Sequence, residues 1–497
     1  MFFRFPRRGP VTSDLPLAAP ARTPDRPHLS ATWLIDHQPT LADLVKDGIT
    51  APKLKRLREH FGEKTATTLA EIASQQARAR LKFGPGDWLA TAKSVAQATE
   101  RHVARYKAGL FGSHAVFDLC GGIGGDAMEL ARRGPVISID ADPQISALAT
   151  ANLLLDRVAW RNETATKTPA GRTGPSPPFT PPQVAVVTAD VTRYPIPAGV
   201  AIHIDPDRRP EEIRTPATTS CRSSAESVRV AAPERYQPRL SEVRQLLENR
   251  SAWIVKLAPA AALEVDPDAN EWLRTSHRQW ISFDGSVREQ CLLGGSTQTL
   301  AGVTAGGRSA VRLGREGLRY RFVVDAATVS DLPALDRSVA NATDPGGFIF
   351  DPDPAIRAAG LSACFAARQG WACLGGPAGF LCGDELPMQT GWGQAFRTLW
   401  SGPADLRRIR KFLRTDQLEI GTVKVRGTSH DPATLLRQLR SKRTPKKGPA
   451  VNSHSTDATA PHVGNRSREH EVTLLLGRHS QGVYAVIGQP VPGPESR

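Results

Sequence analysis

The sequence has few cysteines and no long apolar segment. Its six cysteines are scattered over 497 residues, form no Cys-x-x-Cys pair and accompany no histidine cluster at metal-ligand spacing. Neither a zinc site nor a disulfide framework is therefore predicted. No run of eighteen apolar residues occurs, and prolines interrupt the start, MFFRFPRRGP, too soon for the core of a signal peptide. We expect a soluble, cytoplasmic protein that binds neither a metal nor a membrane.

Positive charge is what the chain has in excess. It carries 64 Lys and Arg against 49 Asp and Glu, a net charge of +15. A polyanionic partner is one explanation, and an arginine-rich composition without a partner is the other. Residues 51–110 hold twelve basic against five acidic residues, which could bind nucleic acid or form a solvated helical face. Residues 401–450 hold thirteen against four and form the strongest basic patch.

The chain is too long for one hydrophobic core, so several domains are expected. Apolar runs alternate with helical patterns after about residue 111, which is the βαβ rhythm of a mainly parallel sheet. Composition changes again near residues 331 and 406. The predicted units are a disordered leader (1–30), an N-terminal helical module (31–110), a sheet domain (111–330) with insertions at 162–182 and 215–233, a small ferredoxin-like α/β unit (331–400), and an α+β domain (401–497) with a mobile insertion at 441–469.

A glycine-rich turn follows the first predicted strand. Residues 116–126, VFDLCGGIGGD, run from an apolar strand through an acid and glycines into a helix, an arrangement that presents backbone N–H groups to an anionic cofactor. The turn lacks the Gly-Lys-Ser/Thr of a P-loop and the third glycine of a dinucleotide site. Instead, an acid ends each of three strands, at Asp118, Asp140 and Asp190.

This pattern resembles class I S-adenosylmethionine-dependent methyltransferases. The resemblance implies that Asp118 and the backbone of Gly122 and Gly124 approach the methionine moiety of the cofactor. It also implies that Asp140 accepts hydrogen bonds from both ribose hydroxyls and that Asp190 meets the adenine amino group. A carboxylate suits a diol because it accepts two donors at once, and glycine leaves the cofactor unobstructed.

Four further residues belong to the candidate cofactor site. Cys120 and Asp126 lie in the same loop. Gln97 and Thr99 precede the sheet, where many class I members fold an element over the cofactor; a core-facing or capping role is their alternative. Cys120 and Cys291 also suggest a C5-pyrimidine mechanism with a cysteine nucleophile, but Cys120 replaces the first glycine of the loop and Cys291 lies in an apolar strand.

The fourth strand runs into residues 204–210, IDPDRRP, on the predicted acceptor side. Class I members that methylate amines of nucleic acids carry [DNS]PP[YFW] here, with oxygens that hold the amine and a ring that stacks on the base. This chain keeps the Asp-Pro pair at Asp205, lacks the ring, and continues with Arg208 and Arg209, the other two catalytic candidates. Each guanidinium could stack on a base, bind phosphate, or pair with a local acid. Lys256, ending the fifth strand, could face the cleft or extend to solvent.

Longer stretches carry a more specific resemblance. They lie in order over about residues 77–487 and include DLCGGIGGD, SIDADP, IDPDRRP, FIFDPDPAIRAAGL, LEIGTVKVRGTSHDPATLLRQLR and TLLLGRHSQGVYAVIG. The chain resembles bacterial THUMP-like domain class I methyltransferases. The resemblance implies an α/β fold, with a Rossmann-like class I methyltransferase sheet, an N-terminal helical module and a small C-terminal α+β, THUMP-like domain. It also implies S-adenosylmethionine as cofactor and, by analogy with THUMP domains, RNA as partner.

We therefore expect a methyltransferase that acts on the amine of an RNA base. The missing aromatic residue after Asp205 leaves a second hypothesis, an RNA-binding protein that keeps the cofactor pocket without catalysis. A third is a protein or small-molecule methyltransferase with an incidental basic surface. The loop also resembles that of trimethylguanosine synthases, but their SPPW motif is absent.

Overall fold

The computed structural model describes most of the chain outside the predicted leader and insertions. The described residues are 29–166, 183–207, 236–263, 269–339, 341–376, 379–386, 390–440 and 470–492. Nearly all of the predicted leader, most of the insertion at 162–182, and the insertions at 215–233 and 441–469 lie outside these ranges. No helix in the described part is both long and apolar enough to cross a membrane.

In the described residues, six helices precede the first strand. Helix α4 buries Leu69 and Ile72, and reciprocal hydrogen bonds between Thr91 and Ser94 form a capping box that begins α5. The six helices are α1 (Ala31–Asp36), α2 (Gln38–Asp47), α3 (Ala51–Phe61), α4 (Glu63–Phe83), α5 (Ala92–Gln97) and α6 (Arg101–Gly109).

The first sheet has nine strands in the order β3-β2-β1-β4-β5-β7-β6-β8-β9. Strands β1 to β5 are parallel neighbours, and β7 runs antiparallel between β5 and β6. The strands are β1 (Val116–Leu119), β2 (Val136–Asp140), β3 (Val184–Thr188), β4 (Ala201–Ile204), β5 (Ala252–Leu257), β6 (His277–Phe283), β7 (Ser286–Gly295), β8 (Arg308–Gly314) and β9 (Gly317–Val324). The helices are α7 (Gly125–Ala131), α8 (Pro143–Thr166), α9 (Leu240–Leu247), α10 (Ala269–Thr275), α11 (Ser296–Ala301) and α12 (Ala326–Ser338).

Successive residues of the central strands alternate between the two faces of this sheet. Phe117, Ile202 and Val255 pack with α9 on one face, whereas Val116 and Ile254 pack with the N-terminal helices on the other. Since side chains alternate with a period of two, the polar residues that interrupt β1, β4 and β5 all face the N-terminal helices. A polar layer therefore lies between the sheet and α6.

The second sheet has eight strands in the order β10-β12-β13-β11-β14-β17-β16-β15. These are β10 (Asn341–Ala342), β11 (Phe348–Pro352), β12 (Ala372–Leu374), β13 (Phe380–Gly383), β14 (Gly393–Pro403), β15 (Glu419–Val425), β16 (Glu471–His479) and β17 (Gly482–Pro490). Its helices are α13 (Pro354–Ala358), α14 (Ser362–Gln369), α15 (Leu406–Thr415) and α16 (Pro432–Leu439).

Strand β14 joins the two C-terminal units of the prediction. It crosses the predicted boundary between residues 400 and 401 and pairs with β11 on one side and β17 on the other. The boundary therefore does not separate two sheets, because hydrogen bonds run continuously from β11 through β14 to β17.

Candidate active site

The glycine-rich loop is tightly packed toward the sheet and open on its other side. Cys120, Gly122 and Gly124 have φ values of 56°, 57° and 90°, in the left-handed region that favours glycine. A Cβ added to Gly121 would overlap the Oγ of Ser138, whereas one added to Gly122 would meet no atom within 4 Å. The loop thus has free space beside it at the carboxyl end of β1, as a bound cofactor requires.

The carboxylate of Asp140 lies against this loop. Its Oδ2 accepts a hydrogen bond from the backbone N–H of Gly122 at 3.0 Å, and its Oδ1 accepts one from that of Asp142 at 3.0 Å. Burial raises the pKa of Asp140. Asp190 lies in an exposed turn after β3, and its Oδ1 accepts from the backbone N–H of Thr192 at 2.9 Å. Two strand-end carboxylates at the loop edge of the sheet fit the hydroxyls and amino group of a nucleoside.

Asp118 is buried beneath the loop. Its Oδ1 lies 2.7 Å from the Nδ1 of His203 on β4, and its Oδ2 accepts a hydrogen bond from the Oγ of Ser138 on β2 at 3.0 Å. Only 1% of the residue is exposed. Asp118 therefore ties three adjacent strands together under the cofactor loop, and its direct contact with the methionine moiety remains a prediction.

Lys107 of α6 is the centre of the polar layer. Its Nζ lies 2.9 Å from Oδ1 of Asp126, 2.9 Å from Oε1 of Glu289 and 3.2 Å from Nε2 of His203. Burial alone would lower the pKa of Lys107, but the two carboxylates outweigh it and raise that pKa well above its usual value. Burial alone would likewise raise the pKa of Asp126, yet Lys107 holds it well below its usual range. The layer is thus a buried, charge-paired support for the loop.

Thr99 belongs to the same support. Its Oγ1 donates to Oδ2 of Asp126 at 2.5 Å, and the residue is buried. In this structure the side chains of Thr99 and Asp126 bind each other. Their contacts with the cofactor stay predictions. Their bond fastens the segment before α6 to the start of α7.

Asp205 follows β4 and pairs with a buried lysine. Its Oδ2 lies 2.5 Å from the Nζ of Lys256, which also donates to the backbone oxygen of Gln97 at 3.3 Å. The Lys256 side chain is only 3% exposed, so the prediction that it could extend to solvent is wrong. The backbone N–H of Asp205 donates to the oxygen of Leu119 at 3.2 Å. Asp205 is therefore anchored beside the cofactor loop at the predicted acceptor position.

The end of α5 lies beside the ion pair of Asp205 and Lys256. The Nε2 of Gln97 donates to Oδ1 of Asp207 at 2.8 Å, and the Nζ of Lys82 donates to the backbone oxygen of Val95 at 2.6 Å. Burial, with the charge of Lys256 as the next cause, lowers the pKa of Lys82 to about 8. The predicted catalytic residues Arg208 and Arg209 lie outside the described residues.

The structure does not favour a cysteine nucleophile. Burial, with nearby carboxylates, raises the pKa of the Cys120 thiol well above its usual value, and the same holds for Cys291. Because the thiolate is the nucleophilic form, both thiols are held in the unreactive state.

Sequence reasoning missed three members of the polar layer: Lys107, His203 and Glu289. One signal was available for His203, since AIHI places a single polar residue inside a buried strand. A polar group in such a position needs a partner, because burying it without one is costly. No comparable signal marks Lys107, whose helix has several other basic residues.

Comparison with known proteins agrees with this geometry. No family model matches the chain. The chain is 27% identical over 396 residues to an uncharacterized S-adenosylmethionine-dependent methyltransferase of Mycobacterium tuberculosis, found in strains CDC 1551 and H37Rv, covering 77% of this chain and 91% of the relative. A crystal structure from Porphyromonas gingivalis W83, assigned as a methyltransferase, superposes with a TM-score of 0.58 at 15% identity, covering 93% of this chain and 98% of that one.

The strand order of the first sheet and the open glycine loop define a Rossmann-like class I methyltransferase fold. The protein is an S-adenosylmethionine-dependent methyltransferase, and S-adenosylmethionine is its cofactor.

Proposed function

We propose that this methyltransferase acts on an amine of an RNA base and that Asp205 positions that amine. The observation that carries the proposal is the anchored carboxylate of Asp205, held by Lys256 at 2.5 Å beside the cofactor loop. A carboxylate accepts N–H donors, so a fixed one at this point can orient the lone pair of an incoming amine.

The chemistry asks little more of the protein than alignment. S-adenosylmethionine supplies a methyl group on a positively charged sulfur. In the transfer, the new N–C bond would form as the S–C bond breaks, and the acceptor nitrogen would then lose one proton. We assign to Asp205 the hydrogen bond from the amine and the acceptance of that proton. We assign the exclusion of water from this region to the end of α5, which is bonded to Asp207 through Gln97.

Support for RNA comes from the basic face of α15 and α16. We define this face by six exposed side chains: Arg407, Arg408, Lys411, Arg414, Arg437 and Arg440. Within the described ranges, none of the six has a carboxylate oxygen within 4 Å, so all can bind phosphate groups. We assign the second sheet with these helices as a THUMP-like, RNA-binding accessory domain, in line with the sequence resemblance of β15 to β17.

The test is transfer of labelled methyl from the cofactor to total RNA from a strain lacking the gene. We expect Asp205→Ala to abolish transfer while cofactor affinity, measured by calorimetry, stays within about twofold. The matched control is Asp331→Ala, which removes an exposed carboxylate on α12 and should transfer methyl groups normally. Equal transfer by Asp205→Ala would refute the role of Asp205.

The salt dependence of binding tests the RNA assignment separately. Phosphate contacts release counterions, so RNA affinity should fall steeply as salt increases. RNA binding that barely changes across a salt series, with no methyl transferred to RNA, would instead favour a protein or small-molecule acceptor.

A further inference from the structure

Two sequence stretches that the methyltransferase site does not use meet in the second sheet. FIFDPDPAIRAAGL contributes Asp351 of β11 and Arg357 of α13, and LEIGTVKVRG contributes Lys424 and Arg426 at the end of β15. Oδ1 of Asp351 lies 2.9 Å from Nη1 of Arg357 and 3.1 Å from Nη2 of Arg426, and its Oδ2 lies 2.7 Å from Nζ of Lys424. Side chains from distant parts of the sequence therefore converge on one carboxylate.

The charges of this group do not balance. Three cations surround one carboxylate, and in the described part of the chain no second carboxylate oxygen lies within 4 Å of any of the three. The neighbouring Asp353 lies 3.8 Å from Arg312 of β8 and attracts Arg357 only from a longer distance, without forming an ion pair with it. Arg357 and Arg426 repel each other enough to help lower the pKa of Arg357, after burial as the main cause. Two positive charges are left over in a partly buried site, where like charges are costly.

The excess charge is accessible from solvent, whereas the carboxylate is not. The side chains of Lys424 and Arg426 are each 26% exposed and that of Arg357 is 19% exposed, against 6% for Asp351. Aromatic rings support the cations, since Lys424 Nζ lies 5.5 Å from the ring centre of Phe396 and the guanidinium of Arg426 lies 5.5 Å from that of Phe380. The three cationic groups are thus held in fixed places with their outer sides free.

We propose that Arg357, Lys424 and Arg426, the cationic cluster, form a binding site for a phosphate group. Guanidinium and ammonium groups in fixed positions bind a phosphate through charge-assisted hydrogen bonds, and its charge compensates the excess that Asp351 leaves. In RNA the phosphate would belong to the backbone, an assignment that rests on the proposed function. A free phosphate or a nucleotide is the other source of the same chemistry.

Inorganic phosphate tests the site without any RNA. The full chain is unfolded thermally with increasing phosphate, at ionic strength held constant with chloride, and the midpoint should rise to saturation. Arg426→Met should need roughly tenfold more phosphate for the same rise, since a hydrogen bond to a charged group is lost. Arg315→Met, an exposed arginine in the β8–β9 turn, removes the same charge elsewhere and should respond like the wild type.

Asp351→Asn separates a binding site from a purely structural ion network. The substitution raises the local excess from two charges to three, so the free protein should melt at a lower temperature while its phosphate affinity rises roughly tenfold. A structural network would lose stability in both Asp351→Asn and Arg426→Met without any specific phosphate response. Identical phosphate responses in wild type, Arg426→Met and Asp351→Asn would overturn the proposal.

RNA titrations over a salt series identify the source of the phosphate. If the cluster binds the RNA backbone, Arg426→Met should reduce the salt slope of log affinity by about one, and Arg315→Met should leave it unchanged. Arg426→Met could instead weaken the thermal response to phosphate while leaving the salt slope of RNA affinity unchanged. That result would assign the site to a free phosphate or nucleotide. Since the first test uses inorganic phosphate alone, it can confirm the cationic cluster as a phosphate site even if RNA proves not to be the methyl acceptor.

Discussion

Replacing Lys107 by methionine should destabilise the methyltransferase sheet strongly. The substitution keeps an apolar stem of similar length and removes one ammonium that lies within 3.2 Å of Asp126, Glu289 and His203. Breaking a buried ion pair by removing one partner costs about 3–5 kcal/mol, and here two carboxylates lose the same cation. For a folding unit of 150–250 residues this corresponds to a fall in melting temperature of roughly 6–20 °C.

The cost of Lys107→Met should depend on pH. In the wild type the pKa of Asp126 is lowered, so its contribution to stability is present above its usual pKa of 3.8 and is lost only as pH falls through the lower value. Without Lys107 the pKa of Asp126 should rise, because burial is then opposed only by the charges of His203 and Lys256 and by the hydrogen bond from Thr99. A raised carboxyl pKa gives stability at low pH that is lost as pH rises, so the variant should lose more stability at pH 8 than at pH 5.

Thermal unfolding of both proteins at pH 5 and pH 8 measures this difference. Lys55→Met, whose side chain is 78% exposed, is the control and should change stability by at most about 0.5 kcal/mol. If Lys107→Met melts within 2 °C of the wild type at pH 8, or loses the same amount of stability at both pH values, the polar layer does not stabilise the sheet.

Three further substitutions test the cofactor loop. Asp140→Asn should weaken cofactor binding by calorimetry at least tenfold, because a charged acceptor is lost, and unchanged affinity would exclude Asp140 from the site. Gly121→Ala should lower the melting temperature and abolish cofactor binding, since its Cβ would overlap the Oγ of Ser138; wild-type binding would show that the loop yields easily. Cys120→Ala should retain methyl transfer, because burial keeps the thiol protonated, and loss of transfer with intact cofactor binding would restore the thiol mechanism.

The sequence predicted the central strands well because each is a short apolar run ended by an acid. Strands β1, β2 and β4 agree with the apolar runs VFDL, VISID and VAIHID to within two residues. The acids in or next to these runs are the residue type that the hydroxyl and amino groups of the cofactor require. The later strands are harder to predict from the sequence. β8, with the sequence RSAVRLG, is hard to recognise because arginines and glycine interrupt its apolar residues.

The partners of the polar side chains could not be predicted. Whether Lys256 turns inward depends on which face of β5 meets the N-terminal helices, and on Asp205 lying across the strand pair at 2.5 Å. The bonds of Lys107 join α6 to residues as distant in the sequence as Glu289. Local periodicity contains no information on such pairings, since they are set by how the elements pack.

The C-terminal units were divided for a related reason. β14 has the sequence GQAFRTLWSGP, in which glycines, a proline and polar residues hide the extended conformation. Its pairing with β11 and β17 is what unites the sheet, and a strand's neighbours cannot be read from its own residues.

The place of β17 in that sheet has a consequence for protein synthesis. β14 needs β17 as its neighbour, yet about 80 residues separate the end of β14 from the start of β17 along the chain. At about 5–20 residues per second, a ribosome takes several seconds to cover that distance, during which the inner edge of β14 has no partner. A nascent chain stalled in this interval would expose an unpaired strand edge, and release at that stage should favour aggregation or capture by chaperones.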